Sequence, residues 1–184
     1  MTITADSASK EYDGTALTDD GWQDTAPVGL KGTDAVDSVT VTGSQTEVGT
    51  SSNTASEAVV KNGDTDVTAN YEIEYKAGTL EVTKSSKGIV ITSGDKSWEY
   101  DGSEHSYAVY TVTYGDSETI TGTEGQKEFQ LSTGDKITIS DEATVKYVAD
   151  TADENNTFSY VLENEDQYES VTGYTASWKS RLRL

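Results

Sequence analysis

The chain has 184 residues, a formal net charge of −20 and 33% hydrophobic residues; so much negative charge repels phosphate backbones and anionic headgroups, which argues against binding nucleic acid or a membrane surface. It has no cysteine, hence no disulfide, no thiolate metal site and no cysteine nucleophile. Such thin hydrophobic content suits two small modules of roughly 90 residues, while 11 Tyr and three Trp argue for packed strands over disorder.

No apolar run approaches the roughly 18 residues that a membrane helix requires. A strand-like run, Thr2-Ile3-Thr4-Ala5, follows Met1 directly, so export and anchoring segments are expected outside these residues. Glu11-Tyr12-Asp13-Gly14 reads as a strand end and turn, and Val39/Val41 as a strand. Past the turn formers Asn62-Gly63-Asp64, Tyr71, Ile73 and Tyr75 alternate with Glu72 and Glu74, giving one apolar and one acidic face. Beyond Ala77-Gly78, Leu80 and Val82 alternate with Thr79, Glu81 and Thr83. The polar run Lys84-Ser85-Ser86-Lys87-Gly88 reads as a short linker.

A second copy then begins. Ile3 to Gly14 recurs 88 positions later as Ile91 to Gly102, identical at seven of twelve positions, with Glu-Tyr-Asp-Gly intact. Strand-like alternation continues at Tyr110/Val112/Tyr114, Ile137/Ile139, Val145/Tyr147 and Phe158/Tyr160/Leu162, with Gly134-Asp135 as a turn. Asn70-Tyr71-Glu72 is echoed by Gln167-Tyr168-Glu169 at an offset of 97, so about nine extra residues are expected in the second copy, within Lys146 to Glu165. The fold expected is all-β: two tandem small modules, 1–84 and 88–184, each a sandwich, Ig-like or β-grasp-like, arranged end to end.

The Tyr-Asp-Gly element of each copy resembles the YDG and MBG-type repeats of large bacterial surface proteins. In the first copy, residues 38–50, 62–71 and 78–83 are similar to that family's middle and closing strands. The resemblance covers nearly all of 1–84, and in the second copy chiefly 89–102. It implies spacer or stalk repeats of an exported, wall-attached adhesin-like protein, extracellular and anchored through other segments. The alternative is a module that itself binds a host glycan or protein. Neighbouring repeats of the same chain, in a monomer, are the expected partners.

Each candidate site has a plainer reading. Tyr12-Asp13-Gly14 and Tyr100-Asp101-Gly102 are expected to bury the ring and turn the chain. Calcium would find oxygen ligands at Asp64/Asp66/Asn70 or Asp150/Asp153/Glu154/Asn155, but neither set has EF-hand spacing, and a solvated loop is the expectation. His105, the only histidine, is read as a surface residue of the Ser103–Ser106 turn. Glycosidases need two carboxylates roughly 5–10 Å apart, and among 33 acidic residues such pairs carry no information. A Lys96 or Lys146 cross-link to Asn155, Asn156 or Glu163 has no motif behind it. Trp22, Trp98, Trp178, Tyr107, Tyr110 and Tyr114 are read as core before sugar platform. No enzyme activity, catalytic residue, metal or cofactor is therefore expected.

The ending, Gly173 to Leu184, is basic, and the second copy lacks a segment like Gly78-Thr79-Leu80-Glu81-Val82-Thr83. Thr175 to Leu184 can be encoded so that the frame two bases later spells Gly-Lys-Leu-Glu-Val-Thr. A frameshift at the closing strand is the explanation considered, with Trp178, Leu182 and Leu184 alternating against Lys179, Arg181 and Arg183 in the vacated strand position.

Overall fold

The computed structural model describes residues 1–24, 29–150, 154–174 and 178–181, with the backbone alone at Asp24, Asp150 and Trp178–Arg181. Regular structure in them is strand, apart from three single-turn 3-10 segments. The chain is all-β. It divides into two compact units, Met1–Lys84 and Ser85–Leu184.

The first unit holds β1 (Thr2–Ala5), β2 (Ala8–Glu11), β3 (Trp22–Asp24), β4 (Ala35–Thr42), β5 (Gly49–Asn62), β6 (Thr65–Asp66), β7 (Glu74–Lys76) and β8 (Gly78–Thr83). One sheet runs β3-β1-β7; the other runs β2-β8-β5-β4, with β6 added to β5. Ile3 and Ala5 of the first sheet cluster with Ala55 and Ala58 of the second, and Trp22, Val36, Val39, Val41 and Ile73 pack around them. In β8 the alternation is complete: Gly78, Leu80 and Val82 are buried, and Thr79, Glu81 and Thr83 are exposed. The chain steps from the first sheet to the second within one or two residues at Asp6–Ser7 and at Ala77. The two crossings touch. A Cβ on residue 78 would lie 2.1 Å from the Asp6 carbonyl oxygen, so only glycine fits there.

The second unit holds β9 (Ile89–Ser93), β10 (Lys96–Glu99), β11 (Tyr110–Tyr114), β12 (Glu118–Thr121), β13 (Glu128–Gln130), β14 (Lys136–Ser140), β15 (Ser159–Leu162), β16 (Val171–Tyr174) and β17 (Trp178–Arg181). Its sheets run β12-β11-β9-β16, β13-β14-β15 and β10-β17. Larger side chains fill it: Tyr110, Phe129, Ile89, Ile91, Ile137, Ile139 and Val112 are all fully buried.

Pairing registers match between the units. Ala5 lies opposite Trp22 as Ser93 lies opposite Tyr110. β7 runs parallel to β1, and β16 parallel to β9. Leu80 pairs with Ala8, and Trp178 with Lys96, each in a parallel ladder. The basic ending thus takes the closing-strand position at the level of the backbone. Leu182, Arg183 and Leu184 lie outside the described residues.

Three expectations change. The extra residues of the second copy do not sit chiefly within Lys146 to Glu165. Trp22 and Tyr110 stand 88 positions apart but Asp34 and Asp135 stand 101 apart, and between them the second unit inserts β12, hairpinned to β11, and β13. Part of the difference is recovered later, because the β5–β6 hairpin has no counterpart among the described residues before Tyr168. Second, Ser85 is no linker residue: it is buried, bridges to Tyr168 and shares a 2.8 Å hydrogen bond with the Tyr114 hydroxyl. Third, Tyr12 is 5% exposed but Tyr100 is 48% exposed, so the two rings are not equivalently buried. Tyr12 follows β2, whose neighbour β8 is backed by β5; among the described strands β10 has only β17 beside it.

Candidate functional site

Two polar motifs recur in both units, and the first is directed at the backbone. Asn53, fully buried, donates its side-chain amide to the carbonyls of Asp6 (2.9 Å) and Asp19 (3.0 Å). Asn156, also buried, donates to Gly94 (2.7 Å) and Tyr107 (3.2 Å), which stand 88 positions after Asp6 and Asp19. Each amide therefore ties the crossing between the first two strands to the loop before the third. Two carbonyls outside the strands are satisfied by one side chain, which removes a desolvation cost of about 1–3 kcal/mol apiece.

A second motif locks the other end of each unit. The Tyr71 hydroxyl donates to Asp34 Oδ2, the Asn62 amide donates to Asp34 Oδ1, and the Lys31 N–H donates to the Tyr71 oxygen. In the second unit Tyr168 donates to Asp135 Oδ2, Asn164 donates to Asp135 Oδ1 at 2.8 Å, and the Thr133 hydroxyl shares a hydrogen bond with Tyr168. Each Asp directly precedes a strand, β4 or β14, and each Tyr directly follows a 3-10 turn, Thr68–Asn70 or Glu165–Gln167. The Tyr71 and Asn62 hydrogen bonds hold the Asp34 carboxyl below its ordinary value, and the same contact raises the Tyr71 hydroxyl. The sequence echo at Tyr71 and Tyr168 thereby gains a reason. Asn62 and Asp135 are legible in the sequence only as turn formers, and nothing there pairs Asp34 or Asn164 with the tyrosines.

The Asp-Gly elements act as turns. Thr15 N–H bonds Asp13 and Ser103 N–H bonds Asp101, each at 2.8 Å, and the glycines that follow have φ of 79° and 78°. Lys10 and Thr15 lower Asp13 to about 2, while Ser103 and then His105 lower Asp101.

His105 is more than a surface turn residue. It is half-buried, bridges to Val145, stacks on Trp98 at 5.2 Å and lies 3.0 Å from Asp101 Oδ1. Lys96 sits over both Trp98 and Tyr107, whose rings meet edge to face. The Trp98 ring is thus engaged by its own neighbours. Tyr110 and Tyr114 are buried in the second unit and Trp22 packs into the first, while the Trp178 side chain lies outside the described residues. Burial pushes the Tyr110 hydroxyl up to about 12, with the Glu142 charge adding to it.

Asp66 accepts from both the N–H and the hydroxyl of Thr68, which lowers it, while Asp64 and Asn70 are exposed. Of the second acidic set, Asp153 and the side chain of Asp150 lie outside the described residues. Among the described residues no group of three or more His, Asp or Glu is placed to hold a metal ion. Of the residues considered for a cross-link, the Asn156 amide is committed to its two carbonyls, Lys96 to its rings and Glu124, and Lys146 lies over the Tyr147 ring. No helix among the described residues is long and apolar enough to cross a membrane.

Comparison with protein-family models, with curated proteins and with solved structures found no match.

Proposed function

We propose that the chain is a pair of spacer repeats from an exported bacterial surface protein, extracellular, without enzyme activity and without a cofactor. The observation that supports this reading is the doubled framework: the same amide staple and the same Tyr–Asp–Asn lock stand at matching places in two units whose apolar fillings differ. A repeat retained for its scaffold keeps what orders the backbone and lets the rest drift. A binding module would instead hold one convergent set of side chains in one unit. The net charge of −20 keeps such modules soluble and mutually repelling.

Two measurements test the reading together. The parent coding sequence should contain further copies carrying the staple Asn and the lock Tyr, with an export signal upstream and an attachment signal downstream. On intact cells, an antibody against this chain should label the surface. A parent chain with no further copies, or labelling only after lysis, overturns the proposal.

A further inference from the structure

The geometry points to a shear clamp in each unit, which makes these repeats load-bearing and not merely space-filling; its purpose rests on the spacer reading, its geometry does not. In the first unit the strands nearest the two chain ends lie side by side and parallel, twice over. β1 pairs with β7 through Thr2–Glu74, Ile3–Tyr75 and Thr4–Lys76, and β2 pairs with β8 from Ala8–Leu80 to Glu11–Thr83. The ladders continue past the strands, with the Met1 ammonium donating to Glu72 O, Glu74 N–H to Met1 O, and Tyr12 N–H to Thr83 O. The second unit repeats the arrangement, β9 with β16 and β10 with β17, and extends it through Ser85, which exchanges hydrogen bonds with Gln167 and Glu169.

Tension along the chain draws β1 toward its N-terminal end against its parallel neighbour β7, and β8 toward its C-terminal end against its parallel neighbour β2. Between parallel neighbours these pulls are opposed along the strand axes. Every hydrogen bond of the ladder is then loaded at once. In an antiparallel hairpin such as β4–β5, a pull across two opposed residues opens one bond after another. A parallel ladder is slightly weaker per residue at rest, but shared load outweighs that when the force runs lengthwise. Sliding also meets the core. Ile3, Leu80 and Val82 are fully buried, and a one-residue slip turns them outward. At the crossing, the close approach of Gly78 to the Asp6 carbonyl leaves little room for the strands to ride over each other.

The experiment is single-molecule stretching of the whole chain in two directions. The protein has no cysteine, so introduced thiols are the only anchors. One sample is held by its two ends. The other carries Thr42→Cys and Thr54→Cys, which are exposed and directly opposed on β4 and β5, and is held across that hairpin. Ala35→Cys with Lys61→Cys, opposed at the other end of the same ladder, replaces this pair if its melting curve departs from that of the unaltered chain. Forced unfolding follows the barrier along the pulling direction, so equal melting with unequal force isolates geometry. Lengthwise pulling should need severalfold higher force than pulling across the hairpin. Equal or lower lengthwise force overturns the clamp, whatever the parent gene encodes. A high lengthwise force with a parent chain that is not exported leaves the clamp standing and removes the spacer reading alone.

Discussion

The first unit packs Ala5, Ala55 and Ala58 around Ile3 between its sheets and also buries Val60, Leu80 and Val82, where the second uses Tyr110, Phe129 and four isoleucines. Their Asn staples and Tyr–Asp–Asn locks nevertheless correspond. Apolar packing is non-directional and tolerates exchange at conserved volume. A buried amide that must reach two carbonyls does not tolerate exchange, because each missing donor leaves a desolvated acceptor. Repetition is therefore legible in the staples and locks after it has faded from the core. Tyr12 and Tyr100 show the converse. Identical residues in identical turns are buried in one unit and exposed in the other, because burial depends on which strands stand behind them.

That contrast can be broken by experiment. The largest difference should come from the two tyrosines. Tyr12→Ala removes a buried ring and should cost the first unit about 3 kcal/mol, whereas Tyr100→Ala should change the second by less than about 0.5 kcal/mol. Native-state hydrogen exchange, read unit by unit, checks this, and equal losses would restore the equivalence of the two rings. Next come the staples. Asn53→Ala and Asn156→Ala should each cost its own unit about 2 kcal/mol, in denaturant titrations followed by amide protection. A loss confined to one unit would mean that the shared frame is a coincidence of geometry.

Acid should separate the units more gently. Asp13, Asp34 and Asp66 of the first unit and Asp101 of the second sit below the ordinary value of 3.8. A carboxyl lowered by folding stabilises fully above its unfolded value, and that contribution is lost as pH falls through the folded one. Between about pH 4 and pH 2 the first unit, with three such groups among the described residues, should lose protection before the second. Simultaneous loss in an acid titration would sink this. The smallest effect belongs to metal: EDTA or added calcium should move the melting of neither unit. A drop of more than a few degrees with EDTA would instead show an ion held by one of the acidic runs.

The sequence by itself determined the strand class, the Asp-Gly turns and the 88-residue spacing of the first two strands, because period-two alternation and turn chemistry are local properties. It also held the Tyr71–Tyr168 echo, but not the meaning of that echo. Only the tertiary structure brought Asp34 and Asn62 to Tyr71, or Asn156 to Gly94, since these partners are separated by insertions of different length in each unit. Only the tertiary structure placed the basic ending beside β10 in the register that β8 keeps with β2. An open backbone ladder accepts any chain of extended shape, so strand position is decided by the vacant neighbour and not by the residues that come to fill it.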